Sequence, residues 1–230
     1  MRFESKKPGI STMGDKIELW KALKKSPRYL YLIGGFHGDE VEGVYVLNQL
    51  FKWLSNEDQG LEMNLPMVVI PILNTDGYRM GTRCNATGVD LNRNLPAKNW
   101  SESHQDAKYH PGKKAGSESE TSYLVKRFKK WPPYLVMSFH SWKPMINYDG
   151  NLQVVAEYLS TYNQYPVCDD VGYETPGSLG SYCAESLNVP VLTLEYPRIS
   201  KDLSLAEIWN QNEEGLKELF MSNLLAPHNF

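Results

Sequence analysis

Cysteine is scarce in this chain. Cys84, Cys168 and Cys183 are the three present, widely spaced and without a C-x-x-C pair. That excludes a disulfide framework, and each reads as a small buried hydrophobe. Apolar runs long enough to cross a membrane are also lacking. The opening stretch MRFESKKPGISTMGDKIELWKALKK carries no apolar run of signal-peptide length, so the expectation is a soluble, cytoplasmic protein. Blocks of like charge are missing too. Lys and Arg number 24 against 27 Asp and Glu, a net charge of -3, and KALKK and KRFKK are short enough to be solvated faces. This argues against nucleic-acid or membrane partners. Repeats, low-complexity tracts and linkers are absent as well, which leaves one domain over residues 1–230.

What is present is an alternation of strand-like and helix-like segments. RYLYLIGGF, PMVVIPIL, PPYLVMSFH and VPVLTLEYP read as buried strands, the third ending on His140 and the fourth on Glu195. EVEGVYVLNQLFKWL, SESETSYLVKRFKKW, NLQVVAEYLSTYNQY and SLAEIWNQNEEGLKELFMSNLL have helical spacing, and Ser117 and Glu120 have the spacing of a capping box. NTDG reads as a turn, and Tyr78 to Pro111 as a long polar loop of functional character. The alternation predicts an α/β sandwich around a largely parallel sheet with helices on both faces.

In such sheets ligands bind beyond the carboxyl ends of the strands. His37 and Glu40 in GGFHGDEVEG, Asn74 and Asp76, His140, and Glu195 all fall at those ends. A hydrolytic zinc site needs protein ligands drawn from His and Asp/Glu, an open position, and a carboxylate outside the ligand set to take a proton from water. His37, Glu40 and His140 fit the first requirement and Glu195 the last. Gly34, Gly35 and Gly38 shape the backbone around His37 for close approach. Asp39 and Glu42 are expected to face solvent or to cap the following helix. Arg83 and Arg93, in GTRCNATGVDLNRNLP, either pair with an anionic substrate group or with internal acids such as Asp76 or Asp90.

Taken in order, HGDE, GVDLNRNLP, SFHSW and TLEYP resemble the zinc metallocarboxypeptidases of the carboxypeptidase A type. GSESET, VGYETPGSLGSYCAE and LEYPRIS are similar to a branch of bacterial amidases acting on murein peptides. The resemblance covers about Tyr29 to Ser200. It implies a mixed, mainly parallel sheet between two helical layers, and one zinc ion on His37, Glu40 and His140. It also implies that Asp90 orients His37 from behind, that Asn92 and Arg93 hold a substrate α-carboxylate, and that Arg83 stabilises the oxyanion. Glu195 would be general base and proton donor, and Tyr173 would close on the substrate.

The implied reaction is hydrolysis of the γ-D-glutamyl–meso-diaminopimelate amide of the murein tripeptide L-Ala-γ-D-Glu-meso-diaminopimelate. The distal, zwitterionic centre of diaminopimelate then needs its own receptors. Ser178 and the backbone N–H groups beside it are candidates for the carboxylate, although Ser178 also reads as a plain N-cap. Glu174 or Asp170 are candidates for the ammonium, although both also read as solvated loop acids. Two neighbouring activities use the same residues: trimming of other murein peptides, and deacylation of N-acyl amino acids. An aromatic content of 12% is compatible with a homodimer interface.

Overall fold

The computed structural model describes residues 1–56 and 65–230. Ten short and long strands are described: β1 (Phe3–Ser5), β2 (Gly9–Ile10), β3 (Lys16–Ile17), β4 (Trp20–Ala22), β5 (Tyr29–Gly34), β6 (Met67–Ile70), β7 (Pro133–Trp142), β8 (Met145–Asp149), β9 (Val167–Cys168) and β10 (Val191–Pro197). The helices are α1 (Val41–Ser55), α2 (Thr75–Met80), α3 (Ser119–Lys130), α4 (Gln153–Asn163), α5 (Leu179–Ser181), which runs on as a π-helical turn Tyr182–Leu187, and α6 (Leu205–Met221).

Eight strands form one sheet in the order β1-β4-β6-β5-β7-β10-β8-β9, and β2 and β3 form a separate pair. The central pairs β6–β5, β5–β7 and β7–β10 are parallel. β1, β4 and β8 join antiparallel, so the sheet is mixed and mainly parallel. The expected strands and long helices are all present. The strands not anticipated are the separate β2–β3 pair and those at the sheet's two margins. β1, β4 and β9 are too short to carry a periodic signal, and β8 follows β7 so closely that the two read as one polar-ended run.

Three local expectations change. NTDG is not a bare turn. Asn74 caps α2, its Oδ1 accepting the Gly77 N–H at 2.9 Å. The capping box at Ser117 does not form, because α3 begins at Ser119 behind an N-cap at Glu118. Ser117 Oγ instead donates to Glu118 Oε1 at 2.6 Å, within the network that orders the long loop around the buried Asn94. Glu42 is 1% exposed rather than solvated. It accepts the Ile199 N–H at 2.8 Å and faces Arg198, which also holds Asp39 at 3.0 Å.

The sheet has a different apolar layer on each face. Leu135, Met137 and Phe139 of β7, with Leu192 and Leu194 of β10, pack beneath α1, α4 and α6. Val136 and Val191 face the opposite layer with Tyr31, Ile33, Leu124 and Tyr182. This alternation is the period of two that extended backbone imposes. It puts His140 and Glu195, two and four residues beyond Ser138 and Val191, on the second face.

Candidate metal centre and active site

Three buried side chains converge where β5 and β7 end. His37 and Glu40 lie in the loop between β5 and α1, and His140 is on β7. One ligand atom from each lies within 4.8 Å of the others. Both imidazoles turn Nδ1 toward one carboxylate: His37 Nδ1 is 2.7 Å from Glu40 Oε1, and His140 Nδ1 is 2.8 Å from Glu40 Oε2. Glu40 occupies the N-cap position of α1 yet makes no capping bond to it. Its carboxylate is committed to the histidines instead, and the Gly43 N–H of α1 is satisfied by Ser141 Oγ at 2.9 Å.

Close backbone approach makes this possible. A Cβ at Gly43 would sit 2.8 Å from the Phe139 carbonyl, so only glycine lets the start of α1 reach β7. A Cβ at Gly38 would lie 2.0 Å from the Gly77 backbone, so the His37 loop is pressed onto α2 in the same way.

Asp90 stands behind His37. It is fully buried, and its Oδ1 lies 3.1 Å from His37 Nε2 while accepting the Asn92 N–H at 2.8 Å. Its Oδ2 accepts from Arg83 Nη2 at 2.8 Å and Nε at 3.2 Å. Burial opposes this charge, but the His37 ring and Arg83 outweigh it and hold the Asp90 carboxyl far below its ordinary range. Burial likewise opposes the His37 imidazolium, and Glu40 and Asp90 overcome it, raising His37 to about 9. An arrangement with both Nδ1 atoms facing a shared carboxylate, and Nε2 of His37 fixed by Asp90, suits a divalent cation with nitrogen and oxygen ligands. Zinc fits this donor set.

Glu195 is the direct neighbour of His140 across β10 and β7. Its Oε2 is shielded from solvent and has no hydrogen-bond partner among the described residues. Burial, reinforced by the Glu40 carboxylate, pushes its pKa up to about 7. An unpaired carboxyl with that poise, beside a metal-type cluster, is the expected state of a proton-transfer group.

Arg83, Asn92, Arg93, Tyr173 and Ser178 line one cleft of about 610 Å³ with the metal cluster. Arg83 does pair with Asp90, as one of the two sequence readings has it, and its Nη1 also lies 3.7 Å from Glu40 Oε1. Arg93 donates from Nη1 to the Asn92 carbonyl at 2.7 Å. Both guanidinium groups lie over the Tyr109 ring, at 5.3 and 5.4 Å. Asn92 Oδ1 accepts the Leu179 N–H at 2.8 Å, which ties the 91–93 turn to α5. Tyr173 is about half exposed at the mouth, with its ring edge-on to Trp142 at 6.3 Å. Ser178 acts as an N-cap, its Oγ accepting the Ser181 N–H at 3.1 Å. Asn74 and Asp76 are structural: Asp76 is fully buried and accepts from Ser11 Oγ at 2.5 Å and Met13 N at 2.9 Å.

The sequence reading missed Tyr109, which supports both arginines, and Ser138, Asn147, Asp149 and Thr193, which also line the cleft. A signal for Ser138 and Thr193 exists. Ser138-Phe-His140 and Thr193-Leu-Glu195 place a polar side chain two residues before each catalytic candidate, on the same face of the sheet.

The zinc carboxypeptidase family model matches residues 10–186. Murein peptide amidase A of Escherichia coli K12 is 35% identical over 232 residues, covering 96% of this chain and 88% of that protein. The crystal structure of murein-tripeptide amidase MpaA from Escherichia coli O157 superposes with a TM-score of 0.79 at 32% identity, over 95% of this chain and 92% of that one. Bovine thrombin-activatable fibrinolysis inhibitor shares the fold, with a TM-score of 0.80 at 19% identity over 99% and 91% of the two chains. The buried His37–Glu40–His140 cluster matches the zinc site of the zinc carboxypeptidase family, and the chain belongs to that family.

Proposed function

We propose that residues 1–230 form one catalytic domain that hydrolyses the γ-D-glutamyl–meso-diaminopimelate amide of L-Ala-γ-D-Glu-meso-diaminopimelate. The observation that carries this reading is the unpaired Glu195 carboxyl facing the His37–Glu40–His140 cluster, inside a cleft that also presents Asn92 and Arg93. The 35% identity to a murein peptide amidase supports the choice of substrate. His37, Glu40 and His140 would hold the zinc ion, which would supply Lewis acidity to water and to the scissile carbonyl.

The protein's own groups do the rest. Glu195 takes the proton of the attacking water and delivers it to the leaving amine, the role its raised pKa suits. Arg83 keeps two of its donors on Asp90 and offers Nη1 to the developing oxyanion. Arg93 and Asn92 clamp the free α-carboxylate of the acylated diaminopimelate centre, which plays the part of a peptide C-terminus. Asp90 keeps the Nε2–H of His37, so that its Nδ1 remains the metal-facing nitrogen. Tyr173 closes the mouth from its place beside Trp142. Among the described residues no helix is long and apolar enough to cross a membrane.

Incubation of the zinc-loaded protein with the tripeptide, followed by mass spectrometry, tests the bond cleaved. Free diaminopimelate and L-Ala-D-Glu are expected. Release of alanine, or an untouched tripeptide, would refute the reading.

A further inference from the structure

The floor of the cleft is polar in a place where a buried sheet is ordinarily apolar. Across three adjacent strands, Ser138, Thr193 and Asn147 are register partners. They form a row on the same face as the row His140, Glu195 and Met145, one step deeper, about 7 Å along the strands. The next step down is Val136, Val191 and Asp149. All four polar residues of these deeper rows line the cleft.

Three of them, Ser138, Thr193 and Asp149, lack side-chain partners among the described residues, whereas Asn147 Nδ2 donates to the Cys168 carbonyl at 3.1 Å. Ser138 is 1% exposed, and its Oγ has no hydrogen bond among the described residues. The Asp149 carboxylate has no hydrogen-bonding or ion-pairing group among them either, and burial pushes its pKa upward with no cation to offset it. Its place is built for it: a Cβ at Gly180 would lie 2.5 Å from Asp149 Oδ2, so a glycine at this point of α5 leaves the carboxylate its room. The loop acids are poorer receptors. Asp170 is exposed, and its Oδ1 is taken by the Gly172 N–H at 2.7 Å. Asp149 is partly buried and lines the cleft, so its carboxylate is open to a ligand that supplies the missing charge.

We propose that Asp149 is the specificity-determining receptor for an ammonium group on the side chain of the leaving amine, with Ser138 and Asn147 as neutral partners along that side chain. For the amidase reading, on which the choice of ligand rests, this group is the distal ammonium of meso-diaminopimelate. The span agrees. Glu195 and Asp149 are four residues apart in register, about 13 Å between backbones. A diaminopimelyl side chain plus the two reaching carboxylates fills that interval.

The test compares two ligands that differ only in the distal ammonium: meso-diaminopimelate and 2-aminopimelate, which keeps the distal carboxylate. Calorimetry with zinc-loaded wild-type protein is expected to give at least about tenfold tighter binding of free diaminopimelate. In Asp149→Asn, an isosteric change, that ratio should fall to near one, with zinc content and melting temperature retained. The same collapse is expected in kcat/KM for the two tripeptides ending in these residues. Wild-type protein that does not distinguish the ligands, or binds neither, overturns the assignment whether or not the variant folds. So does an Asp149→Asn protein that still discriminates. If the ammonium preference is found and Asp149 carries it, but neither tripeptide is cleaved, the Asp149 assignment stands and the amidase reading fails.

Discussion

His140 and Glu195 are paired residues of β7 and β10, so the register of two parallel strands sets the relation between a metal ligand and the proposed base. Neither depends on a mobile loop for its position. Glu195→Gln keeps the shape and removes the basic oxygen. It is expected to retain about one equivalent of zinc and to lose roughly 10²–10⁴-fold in kcat, which combined metal analysis and steady-state kinetics will read. Near-wild-type turnover would remove Glu195 from the mechanism.

Glu40 and Asp39 are adjacent, but their environments differ. Glu40 bridges both imidazoles, whereas Asp39 forms a partly exposed pair with Arg198. Glu40→Ala should abolish zinc binding. Asp39→Ala should keep it and shift stability by no more than about 1 kcal/mol, the usual scale of an exposed pair. Inductively coupled plasma analysis and chemical denaturation separate the two outcomes.

Asp90 touches His37 and Arg83 at once. Asp90→Asn cannot serve both, and zinc affinity is expected to fall about 10–100-fold. Competition with a chromophoric chelator measures this. An unchanged affinity would mean that the His37 ring is oriented by its packing alone.

The metal-free protein should have a pH-dependent stability with a defined sign. His37 is raised from its ordinary 6.5 to about 9. Its contribution is complete below pH 6.5 and is lost as pH rises through about 9. Asp90 is depressed, so its contribution is present above its ordinary 3.8 and is lost as pH falls below that. Zinc must displace the His37 proton, so its stabilising effect should grow from pH 6.5 to 9. Melting temperatures with zinc and with chelator, taken across that range, should diverge toward alkaline pH. A constant gap would contradict the protonation assigned to His37.

The placement of His37, Glu40, His140 and Glu195 was legible because they sit toward the ends of strands that are strongly apolar and therefore easily recognised. The parallel core follows from the same runs. The margins of the sheet were not legible, since β1, β4 and β9 have only two or three residues each. The floor of the cleft was hidden for a related reason. Asn147 and Asp149 lie on β8, an antiparallel strand that periodicity did not reveal, and only its register with β10 brings them beneath Glu195. Arg83 shows the limit of composition: spacing leaves two partners open, and the structure has the guanidinium on Asp90 while it still borders the cleft. Glu42 shows the same limit, because the partners that bury it, Arg198 and Ile199, lie more than a hundred and fifty residues away in sequence.

One zinc ion on the His37–Glu40–His140 cluster is expected to make the protein an amidase of the murein tripeptide. The most direct measurement is release of diaminopimelate from L-Ala-γ-D-Glu-meso-diaminopimelate by chelator-stripped protein as zinc is added back. Activity should be absent without metal, rise linearly and level off at one equivalent per chain. Diaminopimelate release that is indifferent to chelation, or none at any zinc level, would contradict that expectation.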